Sequence, residues 1–194
     1  LGVVFGLYGL KNDDHEALDK VNFFPTISVV AFFTSFVILG QIDHASKIQW
    51  IVPFAIMAVG GLAALYAMIE AAKVEKEGDM VDYIIVHCFL GSFAGLLSAL
   101  SFAFSLLLLA TFQSETFINI FGYVFILGLA ALTCIALRMS KGNLGLMVAV
   151  AWIMIIIAFG LSDTPTFKNY MYGALGGAAG VIFVGIISRS KKDQ

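Results

Sequence analysis

The chain has 194 residues, 60% of them apolar and 12% charged, with a formal net charge of −2 and a mean hydropathy of +0.97. An average soluble domain is about 45–50% apolar and about a quarter charged, and one domain of this length has too little interior to hide so much apolar surface from water. Soluble globular, nucleic-acid-binding and disordered classes are excluded, and the informative residues are the few charges, 11 Lys+Arg and 13 Asp+Glu.

Segment 1–20 opens with Leu1–Leu10, apolar but only about half a bilayer crossing. It reads as the tail of a seventh helix or as a stretch lying at the interface. It lacks the basic n-region of a signal peptide. Asp13-Asp14-His15-Glu16 follows as a solvated acidic stretch; a metal cluster would need partner ligands at a defined spacing, and none is offered.

Segment 21–188 is divided by its charges into six uncharged runs of 20 to 32 residues: Val21–Ile42, Ile48–Ile69, Tyr83–Ser114, Thr116–Leu137, Gly142–Ser162 and Asn169–Ser188. A helix needs about 20 apolar residues to cross about 30 Å of hydrocarbon. The sequence therefore predicts an all-α, polytopic membrane bundle with six full spans, the third tilted or extending beyond the bilayer. The runs are continuously apolar, whereas barrel strands alternate over about ten residues. Lys11, Lys20, Lys73, Lys76, Arg138, Lys141, Arg189, Lys191 and Lys192 fall on one side of this arrangement, and only Lys47 and Lys168 on the other. That asymmetry predicts a cytoplasmic C-terminus, with 189–194 as a basic tail, in the cell (inner) membrane.

Mid-membrane positions hold almost no ionisable group, which counts against proton relays, voltage sensors and ion-coupled pumps. No lysine lies in a span to hold retinal. Glu70 closes the second span and His87 sits about a turn past Asp82. His87 is either an interfacial histidine bonded to a neighbour or a pH gate, since imidazole titrates near 6.5; His44 beside Asp43 offers the same two readings in an outward loop. Cys88 and Cys134 lie in spans and read as packing residues. No Ser-His-Asp, HExxH or Gly-rich phosphate loop appears, so no enzymatic chemistry and no cofactor is expected.

Small residues form faces: Gly91, Gly95, Ser98, Ser101 and Ser105 in the third span, Gly60 and Gly61 in the second, and overlapping GxxxG pairs among Gly173, Gly176, Gly177 and Gly180 in the last. Such faces let membrane helices approach closely, within one subunit or between subunits. Phe23, Phe24, Phe32, Phe33 and Phe36 crowd the first span, as lipid-facing packing or, through Phe32, as an apolar constriction in a pore. Gly61-Leu62-Ala63-Ala64-Leu65 recurs as Gly128-Leu129-Ala130-Ala131-Leu132, an echo that chance can produce in a chain so rich in these residues.

Asn22-Phe23-Phe24-Pro25-Thr26-Ile27-Ser28, Thr34-Ser35, Gly60-Gly61-Leu62-Ala63-Ala64 with Glu70, and Gly91-Ser92-Phe93 resemble motifs of the acetate uptake transporter family. That family's pore-lining Tyr is replaced by Leu90 here. Gly9-Leu10, Asp14, Asn22-Phe23-Phe24 and Leu65-Tyr66-Ala67 are similar to the urea–amide channel family. Both resemblances imply a homohexamer in which each subunit passes a small solute through its own pore. Pore or gating candidates are then Asn22, Pro25, Phe32, Thr34, Glu70, His87, Leu90, Ser92 and Ile153 of the fifth run. The expected function is a channel or transporter for an acetate-like monocarboxylate, urea or an amide; its partners are the lipid bilayer, the solute and further copies of the chain. The alternative is a non-catalytic membrane subunit that uses its glycine faces for assembly.

Overall fold

A computed structural model of the chain describes residues 15–41, 47–74, 80–110, 115–162 and 168–190. The described residues are helical and include no strand: α1 His15–Leu39, α2 Lys47–Val74, α3 Met80–Tyr83, a π-helix Ile84–Gly91, α4 Ser92–Ala110, α5 Glu115–Met139, α6 Leu144–Ser162 and α7 Lys168–Ser190. Leu1–Leu10, Asp13-Asp14, His44 and the last four residues lie outside the described segments.

Among the described residues, four stretches are long and apolar enough to cross a bilayer: Ile51–Lys73, Ile84–Ser101, Ile120–Met139 and Tyr170–Ser190. Phe23–Leu39 and Leu144–Gly160 are further, shorter apolar helical stretches among the described residues; they lie in α1, 25 residues long, and α6, 19 residues long. The outer surface is apolar, with Phe159, Phe183, Val37 and Trp152 each more than three-fifths exposed, the inverse of a water-soluble surface and the pattern hydrocarbon selects.

α1 packs on α2, α2 on α4, α4 on α6, α6 on α7 and α7 on α5; α5 in turn packs on α4. α4 is therefore the central helix. The glycine pair in α2 serves two crossings at once. A Cβ on Gly60 would come within 2.8 Å of the Ala31 Cβ in α1, and one on Gly61 within 2.8 Å of the Ser101 Oγ in α4. Neighbouring positions on a helix point about 100° apart, so two glycines let α2 touch two neighbours closely. Hydroxyls reinforce both crossings. Ser35 Oγ donates to the Pro53 carbonyl (3.2 Å), and Ser101 Oγ lies 2.8 Å from the carbonyls of both Met57 and Leu97, sharing one proton between them.

Candidate functional site

The third uncharged run, too long for one straight crossing, is divided by the π-helix between α3 and α4. A π-helix bonds i to i+5, uses more residues per turn than an α-helix and marks functional irregularities. Backbone departing from the α ladder at membrane depth is tolerated where protein satisfies it. Here the start of α6 does so. Asn143, fully buried, donates through Nδ2 to the Val86 carbonyl at 3.0 Å, and its Oδ1 accepts from the Leu146 amide at 3.0 Å. Asn143 is thus the N-cap of α6 and a tie to the π-helix at once. The Leu144 amide, another group a helix start leaves unbonded, donates to His87 Nδ1 at 3.1 Å. Because an amide donates to it, Nδ1 carries no proton and the neutral ring holds its hydrogen on Nε2.

Backbone contact makes the junction close. A Cβ on Gly145 would fall on the His87 carbonyl and within 2.9 Å of the Ser92 Oγ; one on Gly91 would fall on Asn143 Oδ1. Side chains larger than hydrogen would hold the π-helix away from α6 and break the bonds just described.

The turn before α6 fixes the other flank. Lys141 (φ 53°) and Gly142 (φ 76°) are left-handed, and the Gly142 amide donates to the Leu137 carbonyl at 2.7 Å, the six-to-one bond of a Schellman ending. A Cβ on Gly142 would come within 2.7 Å of the Gly185 carbonyl and 2.8 Å of the Arg189 amide in α7. Arg189 reaches across the end of the bundle: its Nη2 donates to the Tyr83 hydroxyl at 3.0 Å, with the guanidinium 5.6 Å from that ring's centroid. Tyr83 stacks on His87, centroids 4.5 Å apart at 31°. The ends of α5 and α7, the π-helix and the start of α6 thus form one junction at one end of the bundle. Arg189, Tyr83, His87 and the α6 N-terminus lie in contiguous contact.

Of the nine residues singled out from sequence, three belong here. His87 and Leu90 are buried in the π-helix, and Ser92 is exposed at the start of α4 with its backbone against α6. His87 accepts a hydrogen bond from the Leu144 amide and is 4% exposed. Glu70, at the end of α2, pairs with Lys73 (Oε1 to Nζ 2.6 Å). Asn22 lies in α1; Pro25 is buried there, Thr34 is exposed, and Phe32 is half-buried with its ring 4.7 Å from Phe36 and 5.5 Å from Phe33. Ile153 is half-buried in α6.

Sequence reasoning missed Asn143, Tyr83, Gly145 and Arg189. Lys-Gly-Asn before an apolar run carries a stop and an N-cap signal, so a cap at Asn143 was legible; its second bond to Val86 was not. Among the described residues no group of three His, Cys, Asp or Glu side chains is placed to hold a metal. No family model, curated protein or solved structure matches the chain.

Proposed function

We propose that the chain is an integral membrane transport protein that passes a small solute, an acetate-like monocarboxylate or urea or another amide, with six crossings and a cytoplasmic C-terminus. The observation that carries the reading is the π-helix at the head of a spanning helix, tied to the start of α6 through Asn143 and His87. Such an element has an alternative pairing within reach, the ordinary α ladder, and transporters work by elements with two arrangements. The sparse charge supports the solute class. Ile84–Ser101 contains no Asp, Glu, Lys or Arg, and in the other three long spans these residues sit near one end, as Glu70, Lys73, Arg138 and Arg189. A neutral amide or an undissociated acid needs no buried counter-ion. The Lys and Arg asymmetry supports the sidedness.

Liposomes containing the purified protein should take up labelled acetate or urea faster than protein-free liposomes, with the acetate rate rising at acid pH as the undissociated form increases. Equal rates for both solutes at acid and neutral pH overturn the reading.

A second reading is favoured by one observation. In α7 the two overlapping GxxxG pairs divide: Gly177 packs against Met154 and Ala130 and Gly173 against Tyr123, whereas Cβ atoms on Gly176 and Gly180 would meet nothing within 4 Å. An outward small-residue pair suits contact with another membrane helix, as in a homo-oligomeric transporter or an assembly subunit of a larger complex. Purification from the native source separates the two: one chain type supports the transporter, and a fixed set of different chains supports the assembly subunit.

A further inference from the structure

Positive charge gathers around the turn between α5 and α6. Arg138 lies in the last turn of α5 and Arg189 in the last turn of α7. Each is one residue from the end of a stretch long and apolar enough to cross a bilayer, Ile120–Met139 and Tyr170–Ser190. Lys141 stands between them, in the turn whose next residue, Gly142, would set a Cβ 2.7 Å from the Gly185 carbonyl and 3.0 Å from the Arg189 Cβ. Packing of α5 on α7 thus brings three cations from distant parts of the chain to one ledge, all of them exposed.

The fold does not use up these charges. Among the described residues, no carboxylate pairs with Arg138, Lys141 or Arg189. The Arg189 guanidinium gives one of its five N–H donors to the neutral Tyr83 hydroxyl, which fixes its position without cancelling its charge. Both arginines also lie at helix C-termini, where a cation is favoured, so a local reason exists for two of the three. It does not extend to Lys141, which follows the helix at the left-handed position of the Schellman ending (φ 53°). Glycine suits that position better than any residue with a Cβ. The lysine side chain therefore contributes something the turn itself does not need.

Depth identifies the partner. Cations at the end of a spanning stretch stand where hydrocarbon gives way to headgroups, at the level of the lipid phosphates. Beside them the same two helices expose Ile135 and Met139 on α5 and Ile186 and Ile187 on α7, an apolar wall for lipid tails. A polyanion dissolved in water would approach from beyond the bilayer and leave that wall unused. An acidic phospholipid meets both parts, phosphate oxygens against N–H donors and chains against the wall. A guanidinium can hold phosphate through two parallel hydrogen bonds, and basic sites between spanning helices hold acidic headgroups by this chemistry.

We infer that the ledge of Arg138, Lys141 and Arg189 binds the headgroup phosphate of an acidic phospholipid, with its tails along α5 and α7. The inference depends on these helices lying in a bilayer and not on solute transport, which its test does not measure.

Protein is reconstituted in phosphatidylcholine nanodiscs with a trace of phosphatidylglycerol or, in a parallel sample, of phosphatidylcholine, each carrying a diazirine near the glycerol. Labelled peptides are mapped after irradiation. The phosphatidylglycerol probe should label 135–142 and 183–190 several-fold more than the phosphatidylcholine probe, and the opposite ends of the same helices, 115–122 and 168–175, about equally. Each basic side chain near an anionic surface changes binding by roughly fivefold, so Arg138→Gln and Lys141→Gly should each cut the excess by about that factor. Lys141→Gly also separates binding from structure: it should melt at or above wild type while losing lipid selectivity, whereas Lys141→Arg should keep the selectivity. Equal labelling of the ledge by the two probes overturns the site, as does an excess that survives the combined Arg138→Gln and Lys141→Gly variant. Loss of the excess to soluble glycerol phosphate, which has no tails, overturns the lipid as its source. The competing anions by sequence are Glu75, Glu77, Asp79 and Asp82, which precede Tyr83. If they held these cations, both charge-removing variants would melt lower in pure phosphatidylcholine and the excess would be absent, which also overturns the inference.

Discussion

Asn143 and Val86, 57 positions apart, share a 3.0 Å hydrogen bond in which the side-chain amide of an N-cap completes the backbone of a π-helix. One buried residue thereby satisfies a carbonyl of the π-helix and an amide of α6, and their mutual position depends on it. A buried polar group left without its partner costs about 1–3 kcal/mol. Asn143→Ala removes a donor from the Val86 carbonyl and the cap acceptor of the Leu146 amide, for a loss of about 2–6 kcal/mol. At about 2–4 °C per kcal/mol for a chain of this size, Tm in detergent should fall by roughly 4–24 °C. Asn143→Asp keeps the cap but sets a carboxylate oxygen against the Val86 carbonyl, so it too should melt below wild type. A wild-type Tm for the Asp variant would show that the bond to Val86 contributes nothing.

Glycines in α6 should divide by what their missing Cβ would meet. Gly145→Ala drives a methyl group into the His87 carbonyl and the Ser92 backbone, and such overpacking costs about 1–3 kcal/mol. Gly160→Ala meets open space and should stabilise by about 0.5–1 kcal/mol through helix propensity. Thermal unfolding of the two variants side by side should give shifts of opposite sign.

Thr133 is fully buried in α5, and its hydroxyl has no hydrogen-bond partner. Replacing an orphaned hydroxyl by a methyl group of similar size removes a desolvation cost of about 1–3 kcal/mol without opening a cavity. Thr133→Val should therefore raise Tm, or at least leave it unchanged. A clear fall would mean that the hydroxyl is bonded in the membrane, with water or a ligand.

The division of the α7 glycines carries its own test. Gly177→Leu should destabilise the single chain, since Met154 already lies 3.1 Å from the added Cβ. Gly176→Leu and Gly180→Leu should leave monomer stability near wild type while reducing any self-association, read by cross-linking and light scattering in mild detergent. Unchanged association in both outward variants would remove α7 from the subunit interface.

Membrane embedding, helical class and the uncharged runs were legible in the sequence because they depend on what hydrocarbon excludes. A charge or an unbonded backbone group is costly there wherever its neighbours lie, so a count along the chain suffices. The same count does not mark where each helix ends, since absence of charge does not separate the residues of α1 and α6 from the turns beside them. The small-residue faces were legible as well, and Gly60, Gly61 and Gly177 lie at close crossings, but sequence alone could not say which GxxxG pair turns inward.

What tertiary structure decided is everything that depends on a partner far along the chain. The π-helix persists because Asn143 and Leu144 meet Val86 and His87, and no local pattern in Ile84–Gly91 announces residues 57 positions away. The repeated Gly-Leu-Ala-Ala-Leu was visible as an echo; that its copies face each other across one groove follows only from α2 and α5 packing on opposite sides of α4. In this chain the 12% of charged residues, read by position, assigns segments to the bilayer. The contacts among uncharged residues then determine the shape, because between helices in lipid it is fit and hydrogen bonding, not escape from water, that distinguishes one packing from another.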